Sequence, residues 1–276
     1  MQSSHNDFLS TETQTELINA LGTNHFFNVL VDALSAVICF GSSSAICYNK
    51  HKAPELLFSN LTELEDKIFY ARFLDGAYVA SPAYQGFMND LEDGLYAWSE
   101  LMPEGFKQSQ MYAAYYQESG IEDLAYFFVN CGDLGFIQFS IGRHCPSSVF
   151  TEAELLSLQT VSSVLIALVT KHWQFAEQQQ GKNVVPLSSM VSERVNYLLN
   201  HFEPELLTAR ERQIAKLVIT GHSSQSAADN LHISPGTERV HRAKLYAKLK
   251  LRSNSELFSY FLNQLRCVDS PKKGKY

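Results

Sequence analysis

Hydrophobic and polar positions along the chain fall into two alternating periods. Residues 1–22 are polar and read as a leader with a first helical turn. From His25 the run FFNVLVDAL is apolar at Phe26, Phe27, Leu30, Val31 and Leu34, the spacing of one helical face. AVICFGSSSAICYN follows, with two short apolar runs flanking Gly41-Ser42-Ser43-Ser44, and predicts a β-hairpin turning at the serines. Residues 61–74 carry helical spacing. Residues 75–106 are punctuated by Asp75-Gly76, Ser81-Pro82, Asp93-Gly94 and Pro103, a mixture of turns and short helices. Ser109 to Ser119 predicts a short helix, capped by Ser109 and stopped by Gly120. DLAYFFVNC and LGFIQFSIGR flank Gly132-Asp133 as a second hairpin. Thr151 and Glu154 form a capping box that opens a helix running to Trp173. This order predicts an α+β domain over residues 20–174, an antiparallel sheet with flanking helices, behind a leader at 1–19. Residues 175–203 predict a polar linker, Phe175 to Pro186, and an amphipathic connecting helix, Ser188 to His201.

The period is helical throughout 204–266, which predicts an all-α domain, with a basic tail at 267–276. Thr208 caps a helix and Glu211 completes a capping box. Ile214, Leu217 and Val218 give that helix its apolar stripe, and Gly221 ends it. Ser223 or Ser224 caps a short second helix holding the small residues Ala227 and Ala228. Ser234 then caps a third, with Pro235 at its first position. That third helix is expected to turn Val240, Leu245 and Leu249 inward and Arg239, Arg242, Lys244 and Lys248 outward. Two short helices, a turn and a basic-faced helix make a helix-turn-helix.

The segment resembles the LuxR/FixJ-type DNA-binding domain over about sixty residues. The resemblance is carried by Leu207, Thr208, Arg210 and Glu211, then Gly221, Ala228 and Leu231, then Ile233, Ser234 and Thr237, then Val240-His241 and Lys248-Leu249. It implies that the helix from Pro235 to Leu249 enters the major groove of double-stranded DNA. Arg239, Val240 and Ala243 then meet base edges, and Thr237, Arg242, Lys244 and Lys248 lie near phosphates. Three positions depart from the family. Ala227 stands where it usually has Ile, Glu238 where it usually has a β-branched apolar residue, and His232 where it often has Gly. Glu238 is expected to put an acid on or beside the reading helix.

Charge supports the division. The whole chain of 276 residues has a net charge of −7, which taken alone argues against nucleic acid. Residues 1–204 hold 9 Lys and Arg against 23 Asp and Glu, net −14, whereas residues 205–276 hold 13 against 6, net +7. An acidic body therefore carries a basic module.

The resemblance also implies a regulatory domain ahead of the module. A phosphoacceptor receiver is excluded, because the first strand ends without paired acids and α/β alternation is missing. A GAF- or PAS-like sensor fits the element order. A domain of the acyl-homoserine-lactone type is the alternative, although the chain has two Trp and no Asp-Pro. Residues 69–139 hold 17 of the 33 aromatic residues, many of them Tyr. Tyr buries apolar area yet needs a partner for its hydroxyl, so this region suits a small polar or amphipathic ligand. The expected pocket residues are Tyr78, Tyr84, Tyr96, Trp98, Tyr115 and Phe127, with Asp75 and Arg143 as charged anchors.

Enzymatic motifs are missing from the sequence: no Gly-rich phosphate loop, no HExxH, no CxxC and no nucleophile elbow. Cys39, Cys47, Cys131, Cys145 and Cys267 lack metal-ligand spacing, so neither metal nor cofactor is expected. The longest apolar stretch, Val161 to Val169, is too short for a membrane span, and the N-terminus lacks a secretory pattern. The sequence thus predicts a cytoplasmic, homodimeric, ligand-responsive transcription regulator. The alternatives are a lactone-responsive quorum regulator and a ligand-independent DNA-binding protein whose N-domain recruits a protein partner.

Overall fold

A computed structural model describes residues 8, 10–49, 54–61, 70, 73–74, 76–132, 135–144, 149–179, 199, 202–203 and 205–266. The expected helix at 61–74 falls largely outside them. Asp75, Cys145, the connecting helix at 188–201 apart from Leu199, and the basic tail at 267–276 also lie outside the described residues.

The first helix, α1 (Thr11–Ala20), lies where the sequence suggested a leader with a first helical turn, and it is nearly three turns long. Ser10 caps it by accepting the Thr13 N–H at 3.2 Å, and Leu17 is fully buried. Helix α2 (Phe26–Ser35) follows its apolar stripe, with Phe26, Phe27, Leu30 and Leu34 buried. The expected hairpin at Gly41–Ser44 does not form. The serines belong to strand β1 (Ser42–Tyr48), because Ser42 to Ser44 pair with Gly142 to Ser140. The residues before them close the end of α2, where the N–H groups of Val37 and Ile38 both reach the Leu34 carbonyl. Strand β1 instead pairs with β2 (Glu55–Ser59).

A 3-10 turn (Ala77–Ala80), helix α3 (Pro82–Met88), strand β3 (Gly94–Ala97) and helix α4 (Trp98–Leu101) then build a cap over the sheet. The helix expected from Ser109 narrows to a π-helical segment, Tyr112–Gln117, introduced by Ser109 accepting the Tyr112 N–H. Strands β4 (Ile121–Asn130) and β5 (Phe136–His144) form the second hairpin as the sequence predicts. Helix α5 (Glu152–Gln179) opens on the Thr151–Glu154 capping box and runs six residues past the predicted end at Trp173. By length and composition it could cross a membrane. Here Leu158, Val161, Leu165 and Val169 are instead buried against the sheet.

The sheet is antiparallel, in the order β2-β1-β5-β4-β3. Strand alternation gives it two unlike faces. One face presents Ala45, Cys47, Ala125, Phe127, Val129, Ile137, Phe139 and Ile141 to α2 and α5, with Ser43 and Arg143 at its end. The other presents Ser42, Ser44, Ile46, Tyr48, Leu124, Tyr126, Phe128, Phe136, Gln138 and Ser140 to the cap.

The C-terminal part is all-α: α6 (Ala209–Ile219), α7 (Ser224–Asn230), α8 (Pro235–Leu249) and α9 (Asn254–Arg266). Their start signals act as the sequence predicts. Thr208 and Glu211 form a capping box, and Ser223 and Ser234 cap the next two helices. Ala227 and Ala228 are fully buried where α7 crosses its neighbours.

Candidate functional site

A cavity of about 180 Å³ opens between the second face of the sheet and the cap. That is smaller than the roughly 300–1,000 Å³ that drug-sized ligands occupy, and suits a small metabolite. Strand β1 supplies Ser42, Ser44 and Ile46, β4 supplies Leu124 and Tyr126, and β5 supplies Gln138, Ser140 and His144. Tyr70, Phe73, Tyr116, Glu118 and Ser119 close it from the cap side.

The sheet wall is unusually polar for a core. The Ser44 and Ser140 hydroxyls are hydrogen-bonded at 2.9 Å. His144 Nδ1 lies 3.1 Å from the Ser119 carbonyl, which can only accept, so Nδ1 carries the proton. Its Nε2 lies 2.7 Å from the Ser42 hydroxyl. Burial pushes the Tyr116 and Tyr126 hydroxyls well above the ordinary phenol range, and the two are hydrogen-bonded to each other. Gln138 Oε1 is buried and has no partner among the described residues. An acceptor left without a partner is costly to bury.

None of the expected pocket residues that are described lines this cavity. Tyr78 and Tyr84 are fully buried in the cap, 5.0 Å apart, and pack on Tyr48. Trp98 is fully buried against Tyr112 and Tyr116, and Tyr115 packs edge-on to Phe73. Tyr96 is half-buried at the sheet edge, its hydroxyl donating to the Glu92 carbonyl. Phe127 and Arg143 sit on the opposite face of the sheet, because strand alternation points odd-numbered residues of β4 and β5 toward α5. Phe127 packs on Phe139 there. Arg143 bonds the Cys39 and Val149 carbonyls and Glu154, and lies over the Phe150 ring. Its guanidinium holds the Glu154 carboxyl down at about 2. The cavity's Ser42, Ser44, Gln138 and Ser140 were not anticipated. Part of their signal was present: Gln138 and Ser140 alternate with the apolar Ile137, Phe139 and Ile141 along β5.

A second candidate surface lies on α8. Thr237, Arg239, Val240, Ala243 and Lys244 are exposed, and Val240 is 53% exposed despite the expectation that it packs inward. Helical geometry explains the correction. Leu245 and Leu249 share an inward stripe with Glu238 and Arg242, at intervals of three and four, whereas Val240 is five residues from Leu245 and points elsewhere. Glu238 is therefore fully buried, and it pairs with Arg242 Nε at 2.6 Å. The acid does not reach the exposed face. Arg242, expected near phosphate, is 12% exposed and is engaged by Glu238 and Asn254. Lys248 donates to Glu211 at 2.7 Å. Burial would raise the Glu211 carboxyl, but the bonds from Lys248 and Thr208 outweigh it and hold it below its ordinary value.

Comparison with known proteins places both halves. Residues 205–261 match the model for bacterial regulatory proteins of the luxR family. A putative HTH-type transcriptional regulator from the exeN 3' region of Aeromonas salmonicida is 30% identical over 183 residues, covering 65% of this chain and 93% of the relative. The transcriptional regulatory protein FixJ of Rhizobium meliloti is 45% identical over 49 residues, 18% of this chain and 24% of FixJ. The crystal structure of the VqsR LBD domain from Pseudomonas aeruginosa superposes with a TM-score of 0.53 at 22% identity, covering 59% of this chain and 96% of that domain. The likeness extends to the fold of the N-terminal half.

Proposed function

The chain belongs to the luxR family of bacterial regulatory proteins, and from that premise we propose that it is a transcription regulator answering to a small molecule held in the sheet-side cavity. One observation carries the effector reading. Ser42, Ser44, Gln138 and Ser140 put polar groups on the buried face of a central sheet, around open space, where an ordinary core would place Val, Ile or Leu. The effector supplies the donor that Gln138 lacks and lays its apolar part on Ile46, Leu124 and Phe73. The protein acts on DNA in the cytoplasm, as a binding protein and not as an enzyme.

Arg239, Val240 and Ala243 read base edges in the major groove, and Thr237 and Lys244 meet phosphates. Two copies act together, since paired reading helices about 34 Å apart match successive turns of DNA. The outer side of α5, with Leu156 at 67% and Phe175 at 43% exposure, is the surface proposed for that pairing.

The effector reading is tested by thermal-shift screening of the full chain against a metabolite library that includes acyl-homoserine lactones. The expected result is a compound that raises the melting temperature of the wild type and not of Gln138→Leu. A folded protein that responds to no compound would leave the cavity without an effector. It would favour an N-terminal domain that recruits a protein partner.

A further inference from the structure

Among the described residues, the acidic N-terminal half meets the basic module through the stretch from Glu104 to Gln110. The Glu104 carbonyl accepts the Ser223 N–H at 2.8 Å. Gly105, at φ +86, approaches so closely that an added Cβ would lie 2.6 Å from the Ser223 Cβ. Phe106 packs on Gly221 of the module, where an added Cβ would lie 2.7 Å from its ring. The Ser255 hydroxyl donates to Gln110 Oε1 at 2.8 Å. The contact therefore spans the end of α6, the start of α7 and the start of α9.

The same stretch runs on into the cavity wall. From the π-helical segment Tyr112–Gln117 onward, Tyr116, Glu118 and Ser119 line the cavity, and the Ser119 carbonyl holds His144. The two ends are joined through a continuous aromatic stack. Phe106 and Tyr116 centroids lie 5.7 Å apart, and Trp98 lies 5.0 Å from Tyr116 and 6.3 Å from Phe106. Packed aromatic rings have little room to absorb a shift, so a push on Tyr116 arrives at Phe106.

We propose that residues 104–119 are the transmission element of this regulator: one end docks this chain's own DNA-reading module, the other forms a wall of the cavity, and cavity occupancy sets how firmly the module is held. The seam is built to part. Arg242 lines the cleft beside it, together with Gln108 and Gln110, and its Nη2 has no partner among the described residues. Opening the seam hydrates a group the closed form leaves unsatisfied, and the net charges of −14 and +7 on the two halves draw them together again. The exposed face of α8 stays free in the docked form, so docking fixes where the reading helix points and does not cover it.

This rests on the effector reading of the cavity, and the test separates the two. Cysteines are introduced as Gln110→Cys with Ser255→Cys in the full chain, and disulfide formation is timed under mild oxidation, with each single variant as control. The docked seam predicts rapid intramolecular cross-linking. Filling the cavity's polar wall with Ser140→Leu, or with Gln138→Leu if the first variant misfolds, is expected to change that rate about fivefold or more. Ile137→Val, on the other face of the sheet, leaves it unchanged. Failure to cross-link in the full chain overturns the docking. An unchanged rate in a folded cavity variant overturns the coupling. If the thermal-shift screen still finds a ligand in that case, the effector reading stands and the transmission element falls.

Discussion

Glu238 is the residue whose chemistry departs furthest from its surroundings. Its side chain is fully buried on the inward stripe of α8, one oxygen on Arg242 and the other without a partner among the described residues. Taking one member of a buried pair away strands the other, so Arg242→Ala is expected to destabilise the fold by about 3–5 kcal/mol. Replacing both, Glu238→Val with Arg242→Leu, should bring stability back to within about 1 kcal/mol of wild type, because an apolar pair of similar shape needs no solvation. Urea melts check both values, and an Arg242→Ala chain as stable as wild type would mean the pair is not held in solution. His232 shows the opposite kind of cost. It follows α7 at φ +51, a left-handed conformation that a side chain disfavours, which accounts for the glycine often found there in the family. His232→Gly is expected to add about 1 kcal/mol, read as a rise in the urea midpoint.

At the scale of elements, α8 divides its work between its two sides. Lys244 is exposed and free to meet a phosphate, so Lys244→Ala should weaken binding to all duplexes and reduce the salt slope by about 1. Arg239→Ala should instead narrow the gap between target and random DNA. Fluorescence anisotropy across a salt series separates the two, and equal slopes for wild type and Lys244→Ala would move this lysine off the DNA. Helix α5 meets the N-terminal helices through His172. The ring stacks on Phe26 at 4.1 Å, and its Nδ1 accepts the Gly22 N–H at 3.1 Å. Burial lowers the His172 pKa to about 4, so the folded ring stays neutral where an unfolded one, near 6.5, takes a proton. Above pH 6.5 both states are neutral and stability is unaffected. As pH falls from 6.5 to about 4 the unfolded chain is favoured, by a total of roughly 3 kcal/mol, and below 4 the loss levels off. Urea melts over that range should show a shallower decline for His172→Gln. Parallel curves would mean that this histidine titrates normally.

At the scale of the molecule, two unlike halves share one hydrophobic cluster. Tyr48, Trp98 and Phe106 from the sensor side are continuous with Ile214, Leu245 and Phe258 from the module. A regulator that reads DNA with a single short helix gains specificity by pairing, and the exposed Leu156 and Phe175 of α5 are the surface proposed for it. The full chain is expected to form a dimer on a duplex holding two half-sites, by light scattering. A monomer both free and on DNA would remove the two-helix arrangement.

The sequence by itself determined whatever is encoded over a few neighbouring residues. Thr208 with Glu211, Ser223, and Ser234 with Pro235 each start a helix through a bond spanning three residues, so the helix starts of the module were legible, while the inward and outward sides of α8 were not. The β4–β5 hairpin and the stripe of α2 were legible for the same reason. Only the tertiary structure decided the rest. Ser42–Ser44 looked like a turn because their sheet partners, Gly142 to Ser140, lie about a hundred residues away. The aromatic density around residues 69–139 was real, but pairing register sent Phe127 to one face and Tyr126 to the other. Glu238 is buried because α8 packs with that side inward, and composition alone would have left it in water. Caps and turns are satisfied locally. A cavity assembled from three strands and a cap depends on register and packing, which the chain specifies only as a whole.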